Sequence, residues 1–436
     1  MKKKIKLFFI VSVDLIILYL SLFLTIFLIK NFQIKTDFLY QHLYAFSFLF
    51  PIWLLVFYIQ GLYSLRVLKI KGLAISLLQG ISINTIISFM FFYFFKSFGI
   101  SPKKNMIIFI MTALVLLYLG RRFIIKSLTN STLFKRVIIV TKYNFEELRE
   151  DLKKAPLVGL NLVKISEKLD ADDLTENIDI SVVDNNIVNS NNDLKKYLEK
   201  CVRKGIAFYD LAGFYEEVTG KVSLNAMNSY WLLEKIGKEL EIKSDFIKRA
   251  FDLFGSLFIG LIAIPILAIV AIIQLLLEGR PIFYSQKRVG RQGKLFTIYK
   301  LRTMVLNAED SGARWATPKD NRITKLGKFL RLTRIDELPQ LYNILKGDMS
   351  LVGPRPERPE IIDSKLKNLS PYYDFRHLVL PGVTGWAQVN YRYGFSETDT
   401  LKKLQYDLYY VKNRSLWLDI RIILKTIHTV ITAAGQ

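Results

Sequence analysis

The sequence predicts a membrane α-helical bundle joined to an α/β unit and a mostly α-helical third part. Three observations predict it. Four apolar stretches open the chain, short strands alternate with helices in the middle, and polar motifs crowd behind a fifth apolar run near the end. The 436 residues are long enough for such an arrangement, read as residues 1–125, 130–240 and 245–436.

The apolar stretches run roughly Leu7–Ile29, Leu43–Gln60, Leu73–Phe95 and Met106–Leu119. Each approaches the ~20 residues that cross a hydrocarbon core. The first is too long for a signal peptide and is followed by no small-residue cleavage site. Basic residues set the orientation. Lys2, Lys3, Lys4, Lys6, Arg66, Lys69, Lys71, Arg121, Arg122, Lys126, Lys135 and Arg136 fall at one set of ends. The other loops carry only Lys30, Lys35, Lys96, Lys103 and Lys104. The bias places the N-terminus and everything after residue 121 in the cytoplasm, making this a multi-pass inner-membrane protein. Asp14, inside the first span near its cytoplasmic end, is a functional candidate or a residue close to water.

From about Lys135 the pattern changes. Val137–Val140, Ile178–Val183 and Gly205–Asp210 read as strands, and Phe145–Lys154 and Leu194–Lys204 as helices. This alternation implies a small, mostly parallel, doubly wound, Rossmann-like sheet. A nucleotide-binding version carries glycines directly after its first strand. Here Val140 is followed by Thr141, Lys142, Tyr143, Asn144 and Phe145. Packing or regulation is therefore the preferred role for this domain.

Ala250–Leu277 is long enough to cross, yet Lys243, Lys248 and Arg249 precede it and Arg280, Lys287, Arg288, Arg291 and Lys294 follow. Both ends thus favour the cytoplasm. Pro265 near the middle removes a helix hydrogen bond. The combination suggests a helix–break–helix over about 250–277 that enters one leaflet and returns.

The net charge of +23 calls for an anionic partner, and the lipid-embedded helices point to phosphorylated substrates or lipid headgroups and away from nucleic acid. The single cysteine, Cys201, excludes an internal disulfide and a cysteine zinc cluster. His42, His377 and His428 are too scattered for a metal centre.

Chemistry concentrates after residue 284. Asp336 and Glu337 are adjacent carboxylates that repel each other, so one must be balanced by cations or by a metal. Arg331 and Arg334 are close enough in sequence to keep Asp336 ionised. An ionised Asp can attack phosphorus, and Glu337 can hold Mg²⁺ through oxygen. The structural alternative is a capping box from Thr333 to Asp336, with Pro339 in the first turn of a helix.

The order of motifs resembles the bacterial sugar transferase family, the polyprenyl-phosphate hexose-1-phosphate or monotopic phosphoglycosyl transferases. Lys248-Arg249-Ala-Phe-Asp252 looks like the opening of that family's re-entrant helix, and Pro265 like its break. Arg-Val-Gly (288–290), Tyr-Lys-Leu-Arg-Thr-Met (299–304), Asp-Glu-Leu-Pro-Gln (336–340) and Gly-Pro-Arg-Pro (353–356) follow in matching order. The likeness is strong over about 245–430. The earlier part, including Tyr215–Lys221, looks more loosely like the family's long branch.

The resemblance implies that Asp336 attacks the β-phosphate of a UDP-sugar, UMP leaves, and polyprenyl (undecaprenyl) phosphate takes the sugar-phosphate from the aspartate. The product would start an exopolysaccharide, capsule or O-antigen. Glu337 would coordinate Mg²⁺, and Arg302, Arg331 and the Pro354-Arg355-Pro356 turn would hold phosphate or uridine groups. Lys300, Arg322 and Lys325 line the diphosphate or bind anionic headgroups. Trp386 reads as an anchor or packing residue, and Ser415–Ala433 as an amphipathic helix. The competing readings are a catalytically silent scaffold for a polysaccharide assembly complex and a nucleotide-sugar modifying enzyme. Homo-oligomerisation is left open.

Overall fold

The structure is a computed structural model. It describes residues 2–29, 36–60, 62–63, 70–98, 103–130, 135–141, 150, 160–166, 178–184, 192–225, 243–308, 320–362, 366–391 and 396–431. The chain divides into two compact units, Met1–Phe214 and Tyr215–Gln436.

In the first unit, α1 (Lys2–Ile29), α2 (Thr36–Ile59), α3 (Ile70–Phe94) and α4 (Lys103–Asn130) are the four expected apolar helices. Each is long and apolar enough to cross a membrane. Leu18, Leu49, Phe50, Trp53, Leu77 and Phe109 form their shared core, while many Phe and Ile side chains stay exposed outward. Such an outward apolar surface suits a lipid solvent. Asp14 is buried and pairs with Arg121 of α4, whose Nη1 also donates to Leu62 O at 2.6 Å. The Asp14 charge is thus accounted for by a structural partner.

The middle of the chain forms one parallel sheet in the order β2-β1-β3-β4: β1 (Lys135–Val140), β2 (Leu160–Ser166), β3 (Ile180–Val183) and β4 (Ala207–Asp210). Strand β2 is an addition to the expected set. The expected helix 145–154 lies outside the described residues except Glu150. The second expected helix is present as α5 (Asn192–Arg203), which buries Leu194, Tyr197 and Cys201 against β1 and β3.

Helix α6 (Leu211–Thr219) leads into the second unit, which begins at Tyr215, earlier than the expected 245. The reason is packing. Glu216 binds Lys412 and Asn413, Gly220 O accepts from Trp386 Nε1 at 2.8 Å, and Val222 is buried in the second unit's core.

Helix α7 (Lys243–Glu278) is continuous through Pro265. This corrects the expected break. A proline deletes one hydrogen bond without ending a helix that apolar contacts support on both sides. An antiparallel hairpin follows, β5 (Phe283–Val289) with β6 (Leu295–Leu301), turning at Gln292 and Gly293 with φ of 56° and 75°. Then come α8 (Lys325–Thr333), capped by Thr324, and α9 (Gln340–Lys346). A parallel pair, β7 (Ser350–Val352) and β8 (Gly382–Thr384), precedes α10 (Trp386–Asn390), α11 (Glu397–Lys412) and α12 (Leu416–Ile431). Trp386 is a packing residue: it is buried, stacks on Tyr409 and carries Arg421 and Lys425 over its ring.

Candidate active site

The two carboxylates sit in a tight turn between helices. Helix α8 ends at Arg334, which adopts a left-handed conformation (φ 59°, ψ 14°). A single 3₁₀ turn, Ile335–Glu337, follows, and Leu338 and Pro339 continue right-handed into α9. Thr333 makes no capping box. Its Oγ1 donates back to Phe329 O at 2.9 Å, so the expected box is overturned, while Pro339 does stand at the start of a helix. Asp336 and Glu337 are both buried.

Long-range contacts position this turn. Asn343 of α9 is fully buried and grips β6 twice: Nδ2 donates to Thr297 O at 2.7 Å, and Oδ1 accepts from Tyr299 N at 3.2 Å. That clamp holds the next residue, Lys300, beside the dyad, where Nζ donates to Glu337 Oε1 at 2.8 Å. The same oxygen accepts from Arg355 Nη2 at 2.8 Å. On the α8 side, Arg331 Nε donates to Thr303 Oγ1 at 2.8 Å. Gly327 permits this approach, because a Cβ there would lie 2.1 Å from Thr303 O.

The Pro354-Arg355-Pro356 turn that presents Arg355 is braced at each carbonyl. Gly382 N donates to Pro354 O at 3.0 Å, Arg376 Nη2 to Arg355 O at 2.8 Å, and Arg288 Nη1 to Pro356 O at 3.2 Å. Arg376 is buried, and an ion pair with Asp407 at 2.8 Å offsets its charge.

The electrostatics split the dyad. Burial alone would raise Glu337, but Arg355, Lys300 and Arg334 hold it well below the usual carboxylate range. Burial pushes the carboxyl of Asp336 up to about 6, and the Glu337 charge adds to this, outweighing Lys300, Arg331 and Arg334. Arg331 and Arg334 do act to lower it, as expected, but they do not offset burial. The cations converge on Glu337, leaving Asp336 Oδ1 buried with no hydrogen-bond partner.

Other motif residues serve the frame. Lys248 lies 2.9 Å from both Asp252 Oδ1 and Asp419 Oδ2, and Leu351 N donates to Asp252 Oδ1. Arg249 donates to Ile344 O and Leu345 O at the end of α9. Arg302 was expected at the diphosphate. Its guanidinium instead donates to Glu278 O, Gly279 O and Arg280 O, closing the end of α7. Arg322 is engaged by Asp320 and Ala308 O. Pro265 lies mid-helix in α7.

Sequence reasoning overlooked Asn343, Arg376, Asp407 and Thr303, and left Lys300 undecided. Among the described residues no group of three or more His, Cys, Asp or Glu is placed to hold a metal. The dyad nonetheless suits Mg²⁺, which takes one or two carboxylates and completes its shell with phosphate and water oxygens. The unbonded buried oxygen of Asp336 is one such donor.

Comparison with known proteins agrees with this frame. The sequence profile of the bacterial sugar transferase family matches residues 243–433. A UDP-N-acetylgalactosamine-undecaprenyl-phosphate N-acetylgalactosaminephosphotransferase of Aeromonas hydrophila is 39% identical over 241 residues, 55% of this chain and 56% of that protein. An undecaprenyl-phosphate galactose phosphotransferase of Salmonella typhimurium is 40% identical over 207 residues, 44% of this chain and 42% of that one. An uncharacterised sugar transferase of Bacillus subtilis is 41% identical over 190 residues, 43% of this chain and 89% of that protein. The chain belongs to the bacterial sugar transferase family. It spans about half the length of the first two relatives.

Proposed function

We propose that this chain transfers a sugar-1-phosphate from a UDP-sugar to undecaprenyl phosphate, with Asp336 as nucleophile. The carrying observation is the asymmetry of the dyad. Glu337 is neutralised by Lys300 and Arg355, while Asp336 keeps a buried oxygen that accepts no hydrogen bond. A carboxylate raised to about 6 is still largely ionised at neutral pH, and a more basic carboxylate is a better nucleophile.

In the first step Asp336 attacks the β-phosphorus. A P–O bond to the carboxylate forms as the bond to the bridging oxygen breaks, and that electron pair leaves on UMP. In the second step a phosphate oxygen of the lipid attacks the same phosphorus, and the electron pair of the breaking P–O bond returns to Asp336. One carboxylate thus serves a soluble donor and a lipid acceptor in turn. Lys300 and Arg355 offset the charge that gathers on the diphosphate. Arg331, on α8, is the further candidate phosphate ligand. Mg²⁺, when bound, would supply additional charge neutralisation, with Glu337 as the residue that would hold it.

The membrane path we propose for α7 is re-entrant, with a bend at Pro265, where the missing hydrogen bond lets a continuous helix turn back. Thirty-six residues of helix reach about 54 Å, ample for a ~30 Å hydrocarbon core. Yet its first half is fastened through Lys248, Arg249 and Asp252, and its second half through Gln274 Nε2 to Arg302 O and through Val270 against Leu301 and Leu330. Asn343 joins these two anchor regions. Both ends therefore belong to one folded body, which favours one side of the membrane. The basic flanks favour the cytoplasmic side.

The test is UMP release by the full chain in lipid nanodiscs with Mg²⁺, undecaprenyl phosphate and UDP-glucose, UDP-galactose or UDP-N-acetylgalactosamine. Lipid-dependent UMP from one donor is expected. Folded protein that releases none from any UDP-sugar would overturn the reading in favour of a silent scaffold.

A further inference from the structure

Gln340 is a buried residue of the second unit that the scheme above leaves unused. It is 2% exposed, and its Nε2 donates to nothing among the described residues. Leaving a buried amide unpaired is costly, so its presence in a well-packed core calls for a reason. Its position supplies one. Gln340 lies three residues after Glu337 and four after Asp336, and the backbone between them is right-handed helical throughout. Residues at those separations occupy one side of a helical turn. An unused buried donor and the unused buried acceptor Asp336 Oδ1 therefore share one side of a single short turn.

Packing fixes the turn that carries both. Asn343 locks α9 to β6 one helical turn beyond Gln340. The surrounding polar groups do not need this amide, because Lys300 and Arg355 both serve Glu337 Oε1 and Arg331 serves Thr303.

We infer that the Gln340 carboxamide is a catalytic hydrogen-bond donor to the phosphoryl group under attack by Asp336. Its N–H meets a non-bridging oxygen of the β-phosphorus. In the transition state that oxygen crowds with charge, and a fixed donor in a water-poor site stabilises it without reorganising. A neutral amide suits this position beside three cations. It grips the charged transition state without holding the departing UMP, and it leaves the charge balance around Asp336 unaltered. The inference rests on the proposed phosphoryl transfer at Asp336.

The test compares wild type with Gln340→Met and Gln340→Glu, full chain in nanodiscs, in steady-state UMP release and thermal unfolding. Met keeps the volume and removes the donor. We expect kcat to fall by about 10²–10³-fold, the size of one lost oxyanion donor. The donor KM should stay within about threefold, and the melting temperature should hold or rise because a buried unpaired amide has gone. Gln340→Glu keeps the shape but adds a third negative charge, and should lose at least as much. It decides the matter if the Met variant does not fold. A folded Met or Glu variant with kcat within threefold of wild type would overturn the inference. So would a kcat loss matched by a lowered melting temperature, which would mark a structural role. Wild type that releases no UMP would instead sink the underlying reaction.

Discussion

Lys248, Asp252 and Asp419 form one buried charge cluster in the second unit, and Lys300, Arg355, Asp336 and Glu337 form another. In the first, a single lysine sits 2.9 Å from each of two carboxylates, and neutral donors fill in: Leu351 N to Asp252, and the Tyr410 hydroxyl to Asp419. Asp252 Oδ2 accepts no hydrogen bond, but its charge is met by Lys248. In the second, two cations converge on one oxygen of Glu337, and Asp336 has no direct ion pair among the described residues. Both clusters fall on sequence motifs rich in charge. The difference teaches that a shared cation ties two carboxylates and their elements together, whereas a carboxylate that no cation pairs with directly is available for bonding to something else.

Removing Lys248 should show the largest effect. Lys248→Met leaves two buried carboxylates without their cation and should cost about 3–5 kcal/mol, read as a fall in the unfolding midpoint of the full chain. Unchanged stability would break the comparison by showing that the first cluster is not a tie.

Asp336→Asn should act with the opposite sign. The folded protein holds the Asp336 proton to about pH 6, while an unfolded Asp releases it near 3.8. Between those values the folded state binds more protons, so this group's contribution to stability falls as pH rises through the window. Above it the buried charge is a liability, and asparagine should stabilise by about 2 kcal/mol at pH 7.5. A destabilised Asn variant would contradict the placement of Asp336 as the unbalanced member.

The same shift sharpens the comparison kinetically. The nucleophile must be ionised, so kcat/KM should rise about tenfold per pH unit below about 6 and level off above 7. A profile flat down to pH 4.5 would mean that Asp336 is as well balanced as Glu337. The smallest effect is expected at Trp386, which belongs to neither cluster. Trp386→Phe keeps the stacking on Tyr409 but loses the bond to Gly220 O, and should cost about 1 kcal/mol in thermal unfolding with kcat preserved.

Much of this molecule can be read from residue order because the signals are local. The four apolar helices, β1, β3, β4 and α5 follow from runs and periods within a few residues, and their observed bounds differ mainly at the ends. Strand β2 is harder to see: Leu160–Ser166 carries polar Asn161 and Lys164 and pairs at the sheet's edge. The dyad is visible as two adjacent acids within a set of ordered motifs. What surrounds it is not, since Asn343 reaches back 46 residues to Thr297 and Arg376 pairs with Asp407 across another loop. Lys300 and Arg302 stand two apart in one motif, yet one meets Glu337 and the other closes a helix end. Only the packing of β6 against α9 and α7 separates those roles. Tyr215–Lys221 likewise reads as a tail of the preceding domain until Glu216 and Gly220 are seen bound to the second unit.

The central claim is that the leftover charge of Asp336 becomes covalently bonded to phosphorus. The most direct measurement is the intact mass of the full chain after brief exposure to UDP-sugar and Mg²⁺ without lipid acceptor, followed by peptide mapping. The account predicts a gain equal to one sugar-phosphate, located on the peptide containing Asp336, absent in Asp336→Asn and discharged by undecaprenyl phosphate. An active enzyme that never carries this mass, or carries it on another residue, would contradict the account.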